Sequence, residues 1–143
     1  METITVRAVI DSEYFNNPPH LKIHCNDQVL ADLLVTEETV IEKELSIEED
    51  TIYKLNFTLY DKSECDTVIK EDGEIVKDTV VKVKNVKLDD IDVTSMLPLN
   101  QDKFYYIHDV SQEKKIFYDT MGVNGTSTIE FTSPFYVWLL ETL

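Results

Sequence analysis

The sequence predicts an all-β fold, a jelly-roll-like β-sandwich of about ten to twelve short strands that forms a single domain over residues 1–143. Three observations lead to this prediction. Apolar and polar residues alternate with period two through most of the chain. No window longer than about ten residues has helical spacing. Turn residues recur every 8–12 residues or so, as they do between the strands of a sandwich.

The first three strands follow from alternation and from turn residues. Four apolar side chains share one parity between Ile4 and Ile10, which predicts a strand at about residues 3–10. A second strand begins at Leu21. Asn26-Asp27 supplies a turn, and residues 28–35 are predicted to form the hairpin partner.

The middle of the chain continues the pattern. Ile41, Leu45 and Ile47 mark one face of a strand, and the segment from Tyr53 to Leu59 is the clearest core strand because every second residue is large and apolar. Beyond it, two short apolar runs flank Asp72-Gly73, a dipeptide typical of hairpins. A small two-stranded ribbon is therefore predicted at this point.

The segment KVKNVKLDDIDV, residues 82–93, changes parity twice. Apolar residues shift to the other parity at Asn85, which predicts either a bulge or a twist between two sheets, because a one-residue slip would otherwise turn every side chain to the opposite face. A second change lies between Leu88 and Ile91, where Asp89 and Asp90 are suited to a tight turn. These aspartates are interpreted as structural rather than as a metal site.

Residues 104–143 are predicted to add strands that complete the sheets, after a linker-like stretch at 94–103. Asn124-Gly125 is a second hairpin signal. The apolar run from Phe135 to Leu140 favours a buried last strand over a short helix, because aromatic and β-branched residues are enriched there. If this run were exposed, it would mark a contact between subunits.

Charge and composition exclude several classes of protein. Thirteen basic and 28 acidic residues give a net charge of −15, which repels phosphate backbones and anionic headgroups, so neither nucleic acid nor membrane insertion is expected. The N-terminus lacks the pattern of a signal peptide, which suggests a protein made in the cytoplasm. Cys25 and Cys65 are predicted to be two separate thiols rather than one disulfide.

No enzyme motif is present, and the protein is predicted not to be an enzyme. His20, His24 and His108 have no motif around them and are expected to be structural or surface residues. His20 and His24 lie four residues apart, which on a strand separates their Cα atoms by roughly 13 Å, too far for two ligands of one metal. An enzyme acting on polysaccharide is a remote alternative.

Calcium is the one cofactor that the sequence indicates. This ion takes about six to eight oxygen ligands, and loops at one end of a sandwich can supply them. Asp61 follows the core strand and Asp78 precedes the next long one, so the two would meet if these strands were antiparallel neighbours. Glu64 and Asp66 would complete the set. The alternative is that these acids only solvate a hairpin.

Part of the chain, about residues 20–93, resembles the calcium-dependent xylan-binding carbohydrate-binding modules. The resemblance lies in PPHLKIHCNDQVLADLLV, in the core strand that ends at an acidic residue, and in an aspartate that opens a strand of the type VxVxNVxLDD. It implies a jelly-roll sandwich in which Asp61 and Asp78 hold calcium, and in which the calcium coordinates sugar hydroxyls.

The whole chain also looks like small β-sandwich proteins of tailed phages that infect marine cyanobacteria. Scarce glycine, acidic strands rich in lysine and the ending NGTSTIEFTSPFYVWLLETL carry this resemblance. It implies a virion or accessory component that is assembled in the host cytoplasm.

The predicted function is therefore that of a non-enzymatic, carbohydrate-binding-type module that recognises a glycan. Tyr14, Phe15, Asn16 and Asn17 in the first loop are candidate ligand-binding residues, unless the two aromatic rings only pin the loop. Trp138 lies in so apolar a context that core packing is its expected role. The alternative function is a structural assembly protein, which packs on a virion protein or on its own copies through sheet edges and the apolar C-terminal segment.

Overall fold

A computed structural model describes residues 2–14, 17–60, 67–69, 71–73, 75–93, 104–108, 112, 114–116, 120–121 and 124–142. These residues form a two-sheet antiparallel β-sandwich with one short helix, so the predicted all-β, jelly-roll-like sandwich is confirmed. In chain order the elements are β1 (Glu2–Glu13), β2 (His20–Cys25), β3 (Gln28–Leu34), β4 (Thr39–Ile47), β5 (Ile52–Tyr60), β6 (Thr67–Ile69), β7 (Ile75–Asp78), β8 (Val80–Leu88), β9 (Ile91–Asp92), β10 (Phe104–His108), β11 (Lys114–Ile116), β12 (Thr120–Met121), β13 (Gly125–Thr132) and α1 (Phe135–Thr142).

The strands are divided between two main sheets and a ribbon. The five-stranded sheet has the order β12-β8-β1-β4, with β9 also paired to β8. The six-stranded sheet has the order β11-β10-β13-β5-β2-β3, and β6 and β7 pair only with each other in the part of the chain that is described. Every pairing is antiparallel.

The core fills the space between the two main sheets. Every second residue of β1, from Ile4 to Ile10, is buried, as are the inward residues of β5, which include Phe57. Removing one such side chain from water contributes about 1.5–3 kcal/mol to folding. On both strands, the residues that the sequence predicts to face inward are the ones that face the core.

A bulge at Asn85 lets β8 change parity without exposing its apolar residues. Arg7 pairs with Lys87 but Val9 pairs with Lys84, so β8 contains one residue more than β1 over this interval. Asn85 is exposed and has a φ of 45°, in the left-handed region that asparagine tolerates better than most residues. Of the two explanations that the sequence allowed, the structure shows the bulge.

The second parity change is the two-residue turn between β8 and β9. Asp89 and Asp90 both have positive φ, 50° and 64°, as a type I′ hairpin turn requires. The backbone N–H of Thr5 donates to Oδ1 of Asp89 at 2.8 Å, and the N–H of Asp89 donates to the carbonyl of Thr5 at 2.9 Å. Asp89 thus extends the ladder between β1 and β8, in agreement with its structural interpretation.

Two other predicted hairpins are also present. β2 and β3 are joined at Asn26-Asp27, where Asn26 has a φ of 49°, and the side chain of Asn26 accepts a hydrogen bond from the N–H of Lys54 on β5. β6 and β7 form the predicted ribbon around Gly73, whose φ is 87°. The last pair of this ribbon is Ile69 with Ile75, so five residues separate the paired positions instead of the two that Asp-Gly suggested.

The last apolar segment is a helix, and the prediction of a buried strand was wrong. The carbonyl of Pro134 accepts hydrogen bonds from the N–H groups of Val137 and Trp138, and the carboxylate of Glu2 accepts one from the N–H of Phe135. A carboxylate at this end is favourable because the N-terminus of a helix carries partial positive charge. Within the part of the chain that the structure describes, no helix is long and apolar enough to cross a bilayer.

Packing explains why α1 overrides the strand propensity of its residues. Phe135 and Trp138, three positions apart, both point into the core, where their ring centroids lie 6.2 Å from that of Phe131. The exposed side of α1 is also apolar, so the sequence showed no helical period.

Asn124-Gly125 does not form a hairpin, contrary to prediction. β12 belongs to the five-stranded sheet and β13 to the six-stranded sheet. Asn124 directly precedes β13, and Gly125 is its first residue. A Cβ atom on Gly125 would lie 2.6 Å from the carbonyl oxygen of Ile107. Glycine is therefore required here by the close approach of β10 rather than by a turn.

The bulge yields a stability prediction at Asn85. We expect Asn85→Val to lower the free energy of unfolding by about 1–2 kcal/mol, because a β-branched residue is strained at positive φ. Asn85→Gly should change it by less than about 0.5 kcal/mol. Urea denaturation measures both, with Asn17→Val as the control, since Asn17 is exposed and is not among the residues with positive φ. Equal stability of the valine and glycine variants would contradict the bulge.

Candidate functional site

The outer faces of the two main sheets differ in chemistry. On the five-stranded sheet, charged side chains of opposite sign contact one another: Lys82 contacts Glu13 at 2.8 Å and Lys84 contacts Asp11 at 3.2 Å. Lys84 also contacts Glu38, just before β4, at 3.6 Å. The Ser12 amide and then Lys84 hold the pKa of Asp11 below its ordinary value. Exposed pairs of this kind contribute little and are typical of a solvated surface.

The outer face of the six-stranded sheet instead carries mostly uncharged hydrogen-bonding groups in rows across the strands. In the first row, the register places Tyr105, Thr128, Asn56 and His24 side by side on four neighbouring strands. The hydroxyl of Thr128 donates to Oδ1 of Asn56 at 2.7 Å, and Nδ2 of Asn56 lies 3.5 Å from Nδ1 of His24. Thr128 is buried although it points away from the core.

Tyr105, at one end of this row, is also buried, and burial raises the pKa of its hydroxyl, with a further contribution from the nearby carboxylate of Glu130. The second row joins Thr126, Thr58 and Lys22. The two threonine hydroxyls lie 3.0 Å apart. Both rows therefore contain side chains that are held in place by their neighbours.

In the third row, Tyr60 on β5 pairs with His20 on β2, and these two side chains form a triangle of hydrogen-bonding atoms with Asp32 on β3. The hydroxyl of Tyr60 lies 2.5 Å from Nε2 of His20 and donates to Oδ1 of Asp32 at 2.6 Å, and the same nitrogen of His20 lies 2.8 Å from that oxygen. The rings of His20 and Tyr60 are in contact, with centroids 4.2 Å apart. The triangle forms because β2 pairs with both β5 and β3.

The hydrogen bond from Tyr60 is the largest influence on Asp32 and lowers the pKa of that carboxyl group. Partial burial acts in the opposite direction, whereas the interactions with His20 and with the positive charge of Lys22 act in the same direction as Tyr60. Asp32 consequently stays ionised at pH values where an ordinary aspartate begins to take up a proton.

These rows define what we call the polar face. Hydroxyl, amide, imidazole and carboxylate groups meet there beside two phenol rings, and their hydrogen bonds to one another fix their directions. Such a surface can bind a ligand that has many hydrogen-bonding groups of its own. Its members are His20, Lys22, His24, Asp32, Asn56, Thr58, Tyr60, Tyr105, Thr126 and Thr128.

The predicted calcium site falls almost wholly outside the described residues. Asp61, Glu64 and Asp66 are not described, and Asp78 is described only as a backbone position that pairs with Thr67. β5 and β8 lie in different sheets, so the adjacency that would have brought Asp61 and Asp78 together is not present. Over the described residues, no group of three or more acidic, histidine or cysteine side chains could hold a metal ion. The calcium site stays a prediction.

The predicted ligand-binding residues of the first loop also lie partly outside the described residues. Tyr14 and Asn17 are exposed, whereas Phe15 and Asn16 lie outside the described residues, so their role as ligand-binding residues stays a prediction. Trp138 is packed in the core as expected. Cys25 is a buried free thiol whose pKa is raised to about 11 by burial, which makes it unreactive.

The polar face was missed in the sequence although part of its signal was present. The outward parity of β2 carries His20, Lys22 and His24, and that of β5 carries Asn56 and Thr58. The local patterns show each set separately. What they do not show is that β2, β5 and β13 are neighbours, which is the fact that joins the sets into one surface.

The chain matches no family model, no curated protein and no solved structure in three comparisons with known proteins. A function for it is therefore inferred from its own residues.

The triangle around Asp32 yields a pH prediction. We expect Tyr60→Phe to raise the pKa of Asp32 toward its ordinary value, as followed by NMR titration of the carboxyl carbon. A lowered pKa stabilises the fold above the pKa of the unfolded chain, and this contribution is lost as pH falls through the folded value. The stability of the Tyr60→Phe variant should therefore depend less on pH in the acid range.

Tyr136→Phe is the matched control, since Tyr136 is an exposed tyrosine on α1. It should leave the titration of Asp32 unchanged. An unaltered pKa for Asp32 in the Tyr60→Phe protein would show that the triangle does not form in solution.

Proposed function

We propose that this chain is a non-enzymatic binding module that recognises a glycan through the polar face. The observation that supports this proposal most strongly is that three hydrogen-bonded groups lie together on one outer face, across the neighbouring strands β13, β5, β2 and β3. They are Thr128-Asn56-His24, Thr58-Thr126 and His20-Tyr60-Asp32. A sugar presents hydroxyl groups that both donate and accept, so it needs fixed donors and acceptors spread over a surface. The charged outer face of the other sheet has no comparable arrangement in the part of the chain that is described.

Preorganisation is the physical advantage of this face. Asn56 is held by Thr128 and by a hydrogen bond from its Nδ2 to the carbonyl of Lys54, and His20 is held between Tyr60 and Asp32. Side chains that are already ordered lose little conformational entropy when a ligand binds. The adjacent rings of His20 and Tyr60 provide a surface against which the apolar side of a sugar ring can pack.

The fold is compatible with a module of the calcium-dependent xylan-binding type, which part of the sequence resembles. In this proposal xylan-like oligosaccharides are the first ligands to test, and a calcium ion near Asp61 and Asp78 assists binding. A role as a virion or accessory attachment component belongs to the same proposal.

The proposal predicts a specific loss of binding. Titration of xylo-oligosaccharides, within a wider glycan panel, should show a ligand whose affinity falls on the order of fivefold to tenfold in Asn56→Ala, because one fixed hydrogen-bonding group is removed. Lys84→Ala, on the opposite outer face, should bind as well as the original protein. Each titration is run in calcium and in EDTA, and thermal melting in both tests the calcium ion.

Absence of binding to every glycan, or equal affinity in Asn56→Ala, would refute the polar face as a glycan site. A ligand that binds equally in EDTA, with no rise in melting temperature in calcium, would remove calcium from the proposal and leave the glycan site intact.

A structural assembly role is the second candidate, and α1 favours it. Tyr136, Val137 and Leu140 are exposed on one side of this helix, and Leu140 retains 75% of its accessible surface. Exposed apolar residues that lie together mark contacts with other proteins. If this role is correct, light scattering after size exclusion should show an oligomer that Leu140→Ser dissociates. A monomer at all concentrations would exclude assembly with its own copies through α1.

A further inference from the structure

The two long edge strands of the sandwich differ in how well they are protected from pairing. β4 is the edge of the five-stranded sheet and carries the consecutive charged residues Glu42, Lys43 and Glu44, which discourage addition of another strand. β3 is the edge of the six-stranded sheet, and its sequence QVLADLL contains one charged residue, Asp32. Because an edge strand presents backbone groups that its own sheet does not pair, β3 is the more receptive edge.

Apolar side chains on β3 flank Asp32 on the outer face. Leu34 pairs with His20, and Val29 pairs with His24 beyond a bulge, so both point to the same side of the sheet as Asp32. Val29 keeps 52% of its accessible surface and Leu34 keeps 54%. The edge therefore offers an apolar position, a carboxylate and a second apolar position in succession.

The charge around this edge selects the kind of partner. Residues 26–38, which contain β3 and the segments on either side of it, have no lysine or arginine and four acidic residues: Asp27, Asp32, Glu37 and Glu38. Lys22 on β2, the register partner of Asp32, is the basic residue next to this edge. A second copy of the chain would bring the same acidic edge and a net charge of −15, so self-pairing is opposed by repulsion. A cationic strand is complementary.

We propose that β3 accepts, by strand addition, an extended segment of another protein in which apolar and basic residues alternate on one face. A basic side chain opposite Asp32 would be flanked by apolar side chains opposite Leu34 and Val29, and the backbone would continue the hydrogen-bonded ladder of the six-stranded sheet. This docking surface shares Asp32 with the polar face but does not depend on glycan binding.

The contacts of Asp32 leave it suited to this role. Tyr60 and His20 both contact its Oδ1 atom, and a carboxylate has a second oxygen that can accept from a lysine or arginine. The lowered pKa of Asp32 keeps the negative charge present over the neutral and mildly acidic range.

The test uses two synthetic peptides that differ only in charge. One repeats the sequence TVTK, and the other repeats TVTE. Amide hydrogen exchange and NMR shift mapping on the full chain should show that the lysine peptide protects amides of β3, and that the glutamate peptide does not. Val29→Lys should weaken binding of the lysine peptide several-fold, since it places a like charge and removes an apolar contact at the edge.

Val40→Lys on β4 is the matched control, because Val40 is also an exposed edge valine and keeps 49% of its surface. It should leave binding unchanged. Both variants are first checked for an unaltered melting temperature. The proposal is overturned if both peptides bind equally, if protection appears on β4 or on neither edge, or if β3 amides become protected by self-association of the chain without peptide.

Discussion

The structure depends on one constraint, which is that alternate residues of each long strand are buried between two sheets. Leu21 and Ile23 on β2 and Leu55, Phe57 and Leu59 on β5 are fully or almost fully buried, and each contributes about 1.5–3 kcal/mol by leaving water. A shift of one residue would exchange every inward side chain for an outward one. The core therefore fixes which polar residues reach the outer face, and the polar face follows from the packing on its other side.

A bulge and a turn keep the apolar residues buried where the sequence departs from strict alternation. The bulge at Asn85 gives β8 one residue more than β1, so that Val83 and Val86 can both be buried. Asp89 then reverses the chain and bonds to Thr5, which ties the turn to β1. The aspartates of KVKNVKLDDIDV thus serve the architecture of the five-stranded sheet. On the outer face of the other sheet, Nδ1 of His24 lies 3.2 Å from the carbonyl oxygen of Asn26 in the turn between β2 and β3. Asn56, Thr58 and Tyr60 lie within β5, whose described pairings contain no bulge, and the proposed binding function rests on residues of this kind.

Sequence patterns predicted what depends on neighbouring residues and failed where distant residues decide. The strands, the bulge at Asn85 and the turn at Asp89-Asp90 could be predicted because parity and turn chemistry are local. α1 could not, because its exposed side also carries apolar residues (Tyr136, Val137 and Leu140) and its start is capped by Glu2, at the opposite end of the chain. Whether β5 and β8 are neighbours could not be predicted for the same reason, and the structure places them in different sheets. Hydrogen-bonded rows across β13, β5, β2 and β3 need strand order, which no local pattern contains.

The central claim is that the order of strands in the six-stranded sheet assembles a ligand-binding surface from side chains that the core turns outward. It is tested most directly by mapping backbone amide shifts while a glycan ligand is added. The account predicts changes concentrated at outward positions of β2, β5 and β13, such as His24, Asn56 and Thr126, with β1 and β8 unaffected. Changes centred on the outer face of the five-stranded sheet would contradict it.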